Sequence, residues 1–475
     1  MTASTAETIM DTGLRRYDRW AMTKKLYIKT YGCQMNVYDS TRMQDVLAPI
    51  GYEAVDGPES ADLIIFNTCH IREKAAEKLY SDLGRLHKTN TKSGKEPMIA
   101  VAGCVAQAEG EEIIARAPYV DMVIGSQSYH HLPDMIASVE RSKKPAIELD
   151  FTDVQKFDLL PESFQPQGVS AFVSIQEGCD KFCSFCVVPY TRGAEYSRPV
   201  EAILREVRQH IRQGAVEITL LGQNVNAYHG QGPDGAEWNL AKLLHLLGSI
   251  PELKRLRYTT SHPRDMDDAL IRAHGEIEIL MPMLHLPVQS GSNAILKAMN
   301  RKHTADDYIN ITEKLRAVRP DIAFSSDFIV GYPGETDRDF NETMKLVETV
   351  GFVSGYSFTY SPRPGTPAAA KESTLPAKVQ TARLEELQAL LVRQQTRFNT
   401  GKIGSIQPVL FDRLGKKPGQ LRGKTPYMQS VIIENAGEYA NRLVDVTITE
   451  AYPYSLKGSP LMAAVKPQEH YAQAG

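Results

Sequence analysis

The run "EGCDKFCSFC" holds Cys179, Cys183 and Cys186, separated by three intervening residues and then by two. Thiols so close along a chain can meet at one point, which suits a metal ion or an iron-sulfur cluster. Buried structural cysteines would require three independent coincidences within eight residues. Zinc usually closes a four-ligand site with a second Cys-x-x-Cys pair or with spaced histidines, and neither occurs here. A 4Fe-4S cluster fits better: three thiolates hold three irons, and the fourth iron is left for a ligand that is not protein. An open metal position marks a catalytic site rather than a structural one.

The other three of the six cysteines are Cys33, Cys69 and Cys104. Each closes a β-branched apolar run, "KLYIKTYGC", "ADLIIFNTC" and "PMIAVAGC", and they lie 36 and 35 residues apart. That interval is one strand-helix-strand unit, so parallel neighbouring strands would bring the three thiols out along one carboxyl edge, where α/β sheets bind ligands. Taken singly, a cysteine after a strand is usually an inert buried thiol. Their shared position instead points to a second cluster of three ligands, again with one iron open. An electron carrier would normally close its clusters with four ligands; this chain closes neither.

The elements that must hold these residues follow from periodicity. Strand candidates alternate with helical stretches up to about residue 140, with "YVDMVIGS" a fourth strand, and "REKAAEKLYSDLGRL" sets Ala76, Leu79, Leu83 and Leu86 on one helix face. From residue 169 a second alternation runs through "AFVSIQ", "VEITLLG", "RLRYTT", "MLHLPVQ", "IAFSSDFIVG" and "GYSFTYS". Six such units predict an incomplete (β/α)6 barrel, with chemistry at the strand C-termini. Pro199 and Gly214 bracket a helix between the first two. Short β-like runs after residue 400, "IQPVLFD", "SVIIE" and "RLVDVTITEAYP", predict a small all-β barrel. Its turn "RLGKKPGQLRGK" holds Arg413, Lys416, Lys417, Arg422 and Lys424 with no acid among them, a pattern suited to phosphate contacts or to a solvated loop. The fold class is α/β, divided into a leader 1–23, a parallel α/β domain 24–141, a linker 142–168, the barrel 169–399, the small barrel 400–467 and a tail 468–475.

Composition narrows the class further. At 475 residues, 42% hydrophobic and 23% charged, the chain buries large cores without staples. A net charge of -3 gives no global signature of nucleic-acid or membrane binding, so a basic surface must be local. No apolar run reaches the length of a membrane span, and the leader lacks the apolar stretch of a signal peptide. The expectation is a cytoplasmic protein with reduced thiols.

The cysteine run resembles the radical S-adenosylmethionine signature, in which the open iron is chelated by S-adenosylmethionine. From about residue 24 to 467 the chain resembles the methylthiotransferase family, with an auxiliary-cluster domain, a radical barrel and a TRAM domain for RNA. The resemblance is carried by "YGCQMNVYDS", "NTCHIREKA", "GCVAQAEG", "GCDKFCSFCVVPYTRGAEYSRP", "LLGQNVNAY", "TSHP", "HLPVQSGS", "DFIVGYPGET" and "YSPRPGTPA". "VVPYTRG" favours the tRNA branch over the branch that modifies a ribosomal-protein aspartate; a threonylcarbamoyladenosine substrate is the alternative within tRNA. His70 departs from the family, where a small residue is frequent beside Cys69; a cluster ligand, a hydrogen-bond donor or a packed imidazole are its readings.

The resemblance implies two 4Fe-4S clusters and two uses of S-adenosylmethionine: one molecule gives its methyl to a sulfur at the auxiliary cluster, another yields the 5'-deoxyadenosyl radical. That radical takes hydrogen from C2 of a dimethylallyladenosine at tRNA position 37, and the carbon collects the methylthio group. An electron-donating reductase and a sulfur source are the implied partners, and a monomer is expected. Phe185 matches a family position near the adenine, with core packing as its other reading. Gln223, Asn224, Gln289 with Ser290, and Asp327 fall at expected strand ends and are candidates for cosubstrate contacts or for polar rim positions. Arg192 and Arg198 are candidates for a phosphate or carboxylate, or for solvated surface. His262, His285 and His303 lack ligand spacing and are read as strand-end or loop residues.

Overall fold

The computed structural model describes residues 23–70, 73–151, 156–161, 164–372, 375–434 and 437–461. The expected leader, apart from Thr23, and the expected tail fall outside the described residues. The chain divides into two compact units, Met1–Phe164 and Gln165–Gly475.

The first unit is a six-stranded parallel sheet. Its strands are β1 (Lys24–Thr30), β2 (Tyr52–Ala54), β3 (Leu63–Thr68), β4 (Met98–Gly103), β5 (Met122–Ile124) and β6 (Ala146–Glu148), in the order β2-β1-β3-β4-β5-β6. Continuous apolar strands such as β3, buried at every position, are what a sheet covered on both faces demands. Helices α1 (Gln34–Leu47), α2 (Glu73–Ser93), α3 (Cys104–Glu109), α4 (Glu111–Arg116) and α5 (Leu132–Ser142) make the crossovers. Leu79 and Leu83 of α2 are buried, with Ala76 and Leu86 packed beside them. Part of the expected linker 142–168 is folded into this unit: β6 pairs with β5, and Lys156 is buried with its ammonium on the Ser126 carbonyl. A three-residue strand directly after two lysines and a proline leaves too short an alternation to read in sequence.

The second unit opens with β7 (Ser170–Ser174), then a short antiparallel pair β8 (Gln176–Glu177) and β9 (Tyr196–Ser197) that encloses helix α6 (Val188–Arg192). Helix α7 (Val200–Arg212) leads to β10 (Glu217–Leu221), and the hairpin β11 (His229–Gln231) and β12 (Glu237–Asn239) precedes α8 (Leu240–Gly248). There follow β13 (Arg255–Tyr258), α9 (Asp268–Glu276), β14 (Met283–His285), α10 (Asn293–Ala298), α11 (Ala305–Val318), β15 (Ala323–Val330), α12 (Asp337–Val350) and β16 (Ser354–Thr359). Parallel ladders β7-β10-β13 and β14-β15-β16 are joined through the parallel Leu256 to Leu280 bridge, giving the expected six-strand arc. Helix α13 (Ala377–Thr400) then packs on β16.

The chain ends in a closed five-stranded barrel of β17 (Ile406–Leu414), β18 (Leu421–Lys424), β19 (Ser430–Ile433), β20 (Leu443–Tyr452) and β21 (Ser455–Pro460), around Val409, Phe411, Val431, Ile433, Val446 and Leu456. The basic segment expected as a turn is partly strand, since Arg422 and Lys424 lie on β18. This barrel docks on the first residues of the large barrel's strands. Arg255 donates to the Lys424 and Pro408 carbonyls at 3.0 and 2.6 Å, and Arg257 to those of Pro426 and Thr425 at 2.8 and 3.2 Å. Glu217, at the start of β10, lies 3.0 Å from Arg257 and 3.6 Å from Arg255. Burial raises the Glu217 pKa, but the two guanidiniums outweigh it and hold the carboxyl below its ordinary range.

Candidate iron-sulfur sites

In the first unit the three cysteines follow β1, β3 and β4, which are adjacent strands. Thr30 pairs with Asn67 and Thr68 with Gly103, so the chain reaches Cys33, Cys69 and Cys104 at nearly the same height. With neighbouring strands about 4.8 Å apart, the outer two strands of the three stand roughly 10 Å from one another. Cys33 is the residue before α1, and Cys104 begins α3. Gly32 brings the backbone against Cys69: at φ 116°, a Cβ there would fall 2.2 Å from the Cys69 Cβ and 3.1 Å from its Sγ. Only glycine tolerates both demands.

Below the thiols lies a buried amide network. Asn36 donates to the Asn67 side-chain oxygen at 3.1 Å and to the Thr68 carbonyl at 3.0 Å; Asn67 donates to the Asn36 carbonyl at 2.8 Å and to Ser40 at 2.9 Å. The Cys33 thiol donates to Asn36 at 3.4 Å. Two asparagines thus tie the exits of β1 and β3 together, and the Thr68 hydroxyl, donating to the Ala102 carbonyl at 2.7 Å, ties in β4. Sequence reading missed both asparagines, although each sits within three residues of a cysteine. Cys69 and Cys104 are buried and Cys33 is exposed, and His70 is half-buried directly after Cys69.

In the second unit the cysteine loop leaves β8 and returns through α6 to β9. Its base is set by Gln176, fully buried, whose side-chain oxygen accepts from the backbone N–H of Gln223 at 2.9 Å and of Asn224 at 3.1 Å. Gln223 returns the contact by accepting from the Gly178 N–H at 2.7 Å. The loop is braced from the far side by the end of α10: Ser184 N–H donates to the Met299 carbonyl at 3.0 Å and Asn300 to the Phe182 carbonyl at 2.9 Å. Burial pushes the Cys179 thiol up to about 11 and the Cys186 thiol up to about 12. Such thiols ionise only when a metal takes the proton's place. Arg301 adds a guanidinium 3.5 Å from the Cys183 sulfur.

Other expected site residues divide by location. Asn224 donates to Asp265 at 2.8 Å while its own oxygen is buried without a hydrogen-bond partner. Gln289 is held at φ 77°, left-handed for a residue with a Cβ, between the ladder bonds to Asp327 and Ile329. Asp327 is 3.6 Å from His285 and about one-third exposed at 31%. Ser290 is buried near Thr343. Phe185 packs with Ile295, Met299, Tyr332 and Ala368, which accounts for its position by apolar contact. Arg192 and Arg198 are not solvated: each is buried, 2.7 Å from Glu177 and from Glu206 respectively, so their charges are spent inside the fold. His262 and His303 meet edge to face at 5.6 Å beside this loop, and burial drives both imidazoles toward the neutral form.

On the small barrel Lys416 and Lys417 are exposed, Arg422 is exposed with Nε on Ser430 at 2.6 Å, and Arg413 is tied to Asp412 at 2.8 Å. Lys424 is half-buried, its pKa lowered first by burial. A cleft of about 430 Å³ lined by Phe352, Arg397, Phe398 and Lys402 lies near the N-terminal end of β16, with no cysteine in its lining.

Among the described residues no three His, Cys, Asp or Glu side chains converge as the ligands of a single ion would. A cubane cluster makes a different demand, since each thiolate binds a separate iron corner. In the first unit three thiols on one edge and a glycine cradle fit that group, and in the second a buried guanidinium at the Cys183 sulfur does.

Residues 25–125 match the model described as Uncharacterized protein family UPF0004, residues 173–347 the Radical SAM superfamily and residues 401–461 the TRAM domain. A tRNA-2-methylthio-N(6)-dimethylallyladenosine synthase of Rickettsia felis is 60% identical over 442 residues, covering 92% of this chain and 99% of that one. Its namesake from Wolbachia pipientis is 58% identical over 439 residues, with 92% and 99% covered. Among solved structures, the radical S-adenosylmethionine methyltransferase TsrM of Kitasatospora setae, with cobalamin and a 4Fe-4S cluster bound, aligns with a TM-score of 0.55 at 11% identity, over 73% of this chain and 74% of that one. The cobalamin-dependent radical enzyme OxsB aligns with a TM-score of 0.51 at 12% identity, over 77% and 56%. These two likenesses show the fold.

Proposed function

The chain belongs to the tRNA-2-methylthio-N(6)-dimethylallyladenosine synthase family, and from that premise we propose that it methylthiolates C2 of N(6)-dimethylallyladenosine at tRNA position 37, consuming two S-adenosylmethionine molecules. Cys179, Cys183 and Cys186 hold one 4Fe-4S cluster in this reading, and Cys33, Cys69 and Cys104 hold a second. When bound, these groups supply the electron that breaks the sulfonium bond and the iron that carries the sulfur to be transferred. The chain itself supplies position. Gln176 and Gln223 fix the cysteine loop to the end of β10, while Asn224, Gln289 and Asp327 present polar groups at strand C-termini, where the cosubstrate is expected. The exposed bases Lys416, Lys417 and Arg422 contact RNA phosphates without reading sequence. A one-electron reductase and a sulfur source must act with the chain, since neither the electron nor the inserted sulfur originates in S-adenosylmethionine.

The observation that supports this reading most is the exit of Cys33, Cys69 and Cys104 from three adjacent strands, because a second cluster with an open iron offers a place to hold the sulfur that is inserted. The test is turnover on tRNA carrying dimethylallyladenosine, with nucleosides analysed by mass spectrometry. The full chain is expected to form the 2-methylthio product. A Cys33→Ala, Cys69→Ala, Cys104→Ala chain is expected to form 5'-deoxyadenosine without it, and product from that variant would refute the assignment.

A further inference from the structure

Arg301 follows α10 between two left-handed residues, Asn300 at φ 60° and Lys302 at φ 57°. Such conformations are uncommon outside glycine, and two of them flanking one residue show a backbone bent to a purpose. The bend turns the guanidinium inward, leaving Arg301 5% exposed. One Nη donates to the Pro287 carbonyl and the other to the Cys183 sulfur at 3.5 Å, while the Nε–H is buried without an acceptor. Other buried arginines of this unit each have a carboxylate: Arg192 has Glu177, Arg198 has Glu206, Arg257 has Glu217 and Arg383 has Glu335. Among the described residues none lies within ion-pair distance of Arg301. A buried cation without an anion is strongly unfavourable, so the fold tolerates it where an anion arrives later.

The geometry points to Arg301 as the counter-charge of the cluster-bound Cys183 thiolate, raising the reduction potential of that cluster. This rests on the assignment of Cys179, Cys183 and Cys186 as cluster ligands. A donated N–H···S bond and an adjacent positive charge stabilise the more negative, reduced state over the oxidised one. The added electron comes from an external one-electron reductant, and no bond within the chain breaks. Arg301 thereby brings the cluster within reach of a weaker donor than it would otherwise need.

The test is an EPR-monitored redox titration of the reconstituted full chain carrying Cys33→Ala, Cys69→Ala and Cys104→Ala, so that one cluster reports, without S-adenosylmethionine. Iron and sulfide content of the parent come first: a parent, and a wild-type chain, with no cluster on Cys179, Cys183 and Cys186 would overturn the cluster assignment itself. With a loaded parent, Arg301→Met is expected to lower the reduced-to-oxidised ratio at a fixed poise about tenfold, equivalent to ~59 mV for a one-electron couple. Arg301→Lys, which keeps the charge, should recover part of the shift. If Arg301→Met fails to load iron while Arg301→Lys loads it, the counter-charge is supported by that rescue. An unchanged or raised potential in a loaded Arg301→Met chain, or equal iron loss in both variants, overturns the inference.

Discussion

A single amide carries much of the order around Cys179, Cys183 and Cys186. Gln176 satisfies two backbone N–H groups of the β10 exit, so Gln176→Ala leaves one buried and one part-buried donor without that acceptor. Each such loss costs about 2 kcal/mol. Amide exchange at residues 222–225 should accelerate by about thirtyfold, measured by hydrogen-exchange mass spectrometry; unchanged rates would mean that water replaces the side chain. Gly32 makes the same point on the other triplet. Because its Cβ would overlap Cys69, Gly32→Ala should displace that thiol and reduce cluster iron by about half, with the loss confined to the auxiliary site. Full iron content would show that the edge can yield. Neither Gln176 nor Arg301 was legible in sequence, although both cysteine triplets were. A cysteine run announces itself by spacing, whereas a glutamine or an arginine acquires its meaning from which loop folds against it.

At the level of elements, the alternation of apolar runs located β1, β3, β4, β5 and all six strands of the large barrel, because a parallel strand buried on both faces is a continuous hydrophobic word. It failed where strands are short or polar: β6 directly follows two lysines and a proline, and β18 and β21 are rich in Gly, Lys and Ser, their pairing enforced by barrel closure rather than by composition. The Arg255, Arg257 and Glu217 clamp was equally hidden, since it joins strand starts to carbonyls some 170 residues away. Arg257→Met would leave Glu217 with the Ser170 hydroxyl and one remaining guanidinium, that of Arg255; removing one member of a buried pair costs about 3–5 kcal/mol. Limited proteolysis should then cut between α13 and β17 sooner than in the parent. Acid should act through the same group. Because the folded-state pKa of Glu217 is depressed below 4.5, its contribution is complete at neutral pH and disappears as pH falls through that lower value. Glu217→Gln should flatten the acid limb of small-barrel protection, and an unaltered limb would assign it elsewhere.

For the whole molecule, the modest net charge concealed a local basic hairpin, and the structure sharpens which of its residues face solvent. Arg413, Lys416, Lys417 and Arg422 do, Arg413 paired with Asp412 at 2.8 Å, whereas Lys424 is half-buried. Replacing Lys416, Lys417 and Arg422 with Glu should weaken tRNA binding and flatten its salt dependence by about one unit per contact, both clusters staying intact. Equal affinity would remove the hairpin from the interface. No described helix is long and apolar enough to cross a membrane.

The clamp also fixes a distance. It grips the large barrel at the N-terminal ends of its strands, whereas Cys179, Cys183 and Cys186 stand beyond the opposite ends. The gripped strand β10 is five residues long and rises roughly 17 Å. In the proposed function, an RNA that touches the small barrel while placing a base beside those cysteines must therefore reach along at least one such strand, and a minimal hairpin loop too short for that would lose one contact however well its sequence matched.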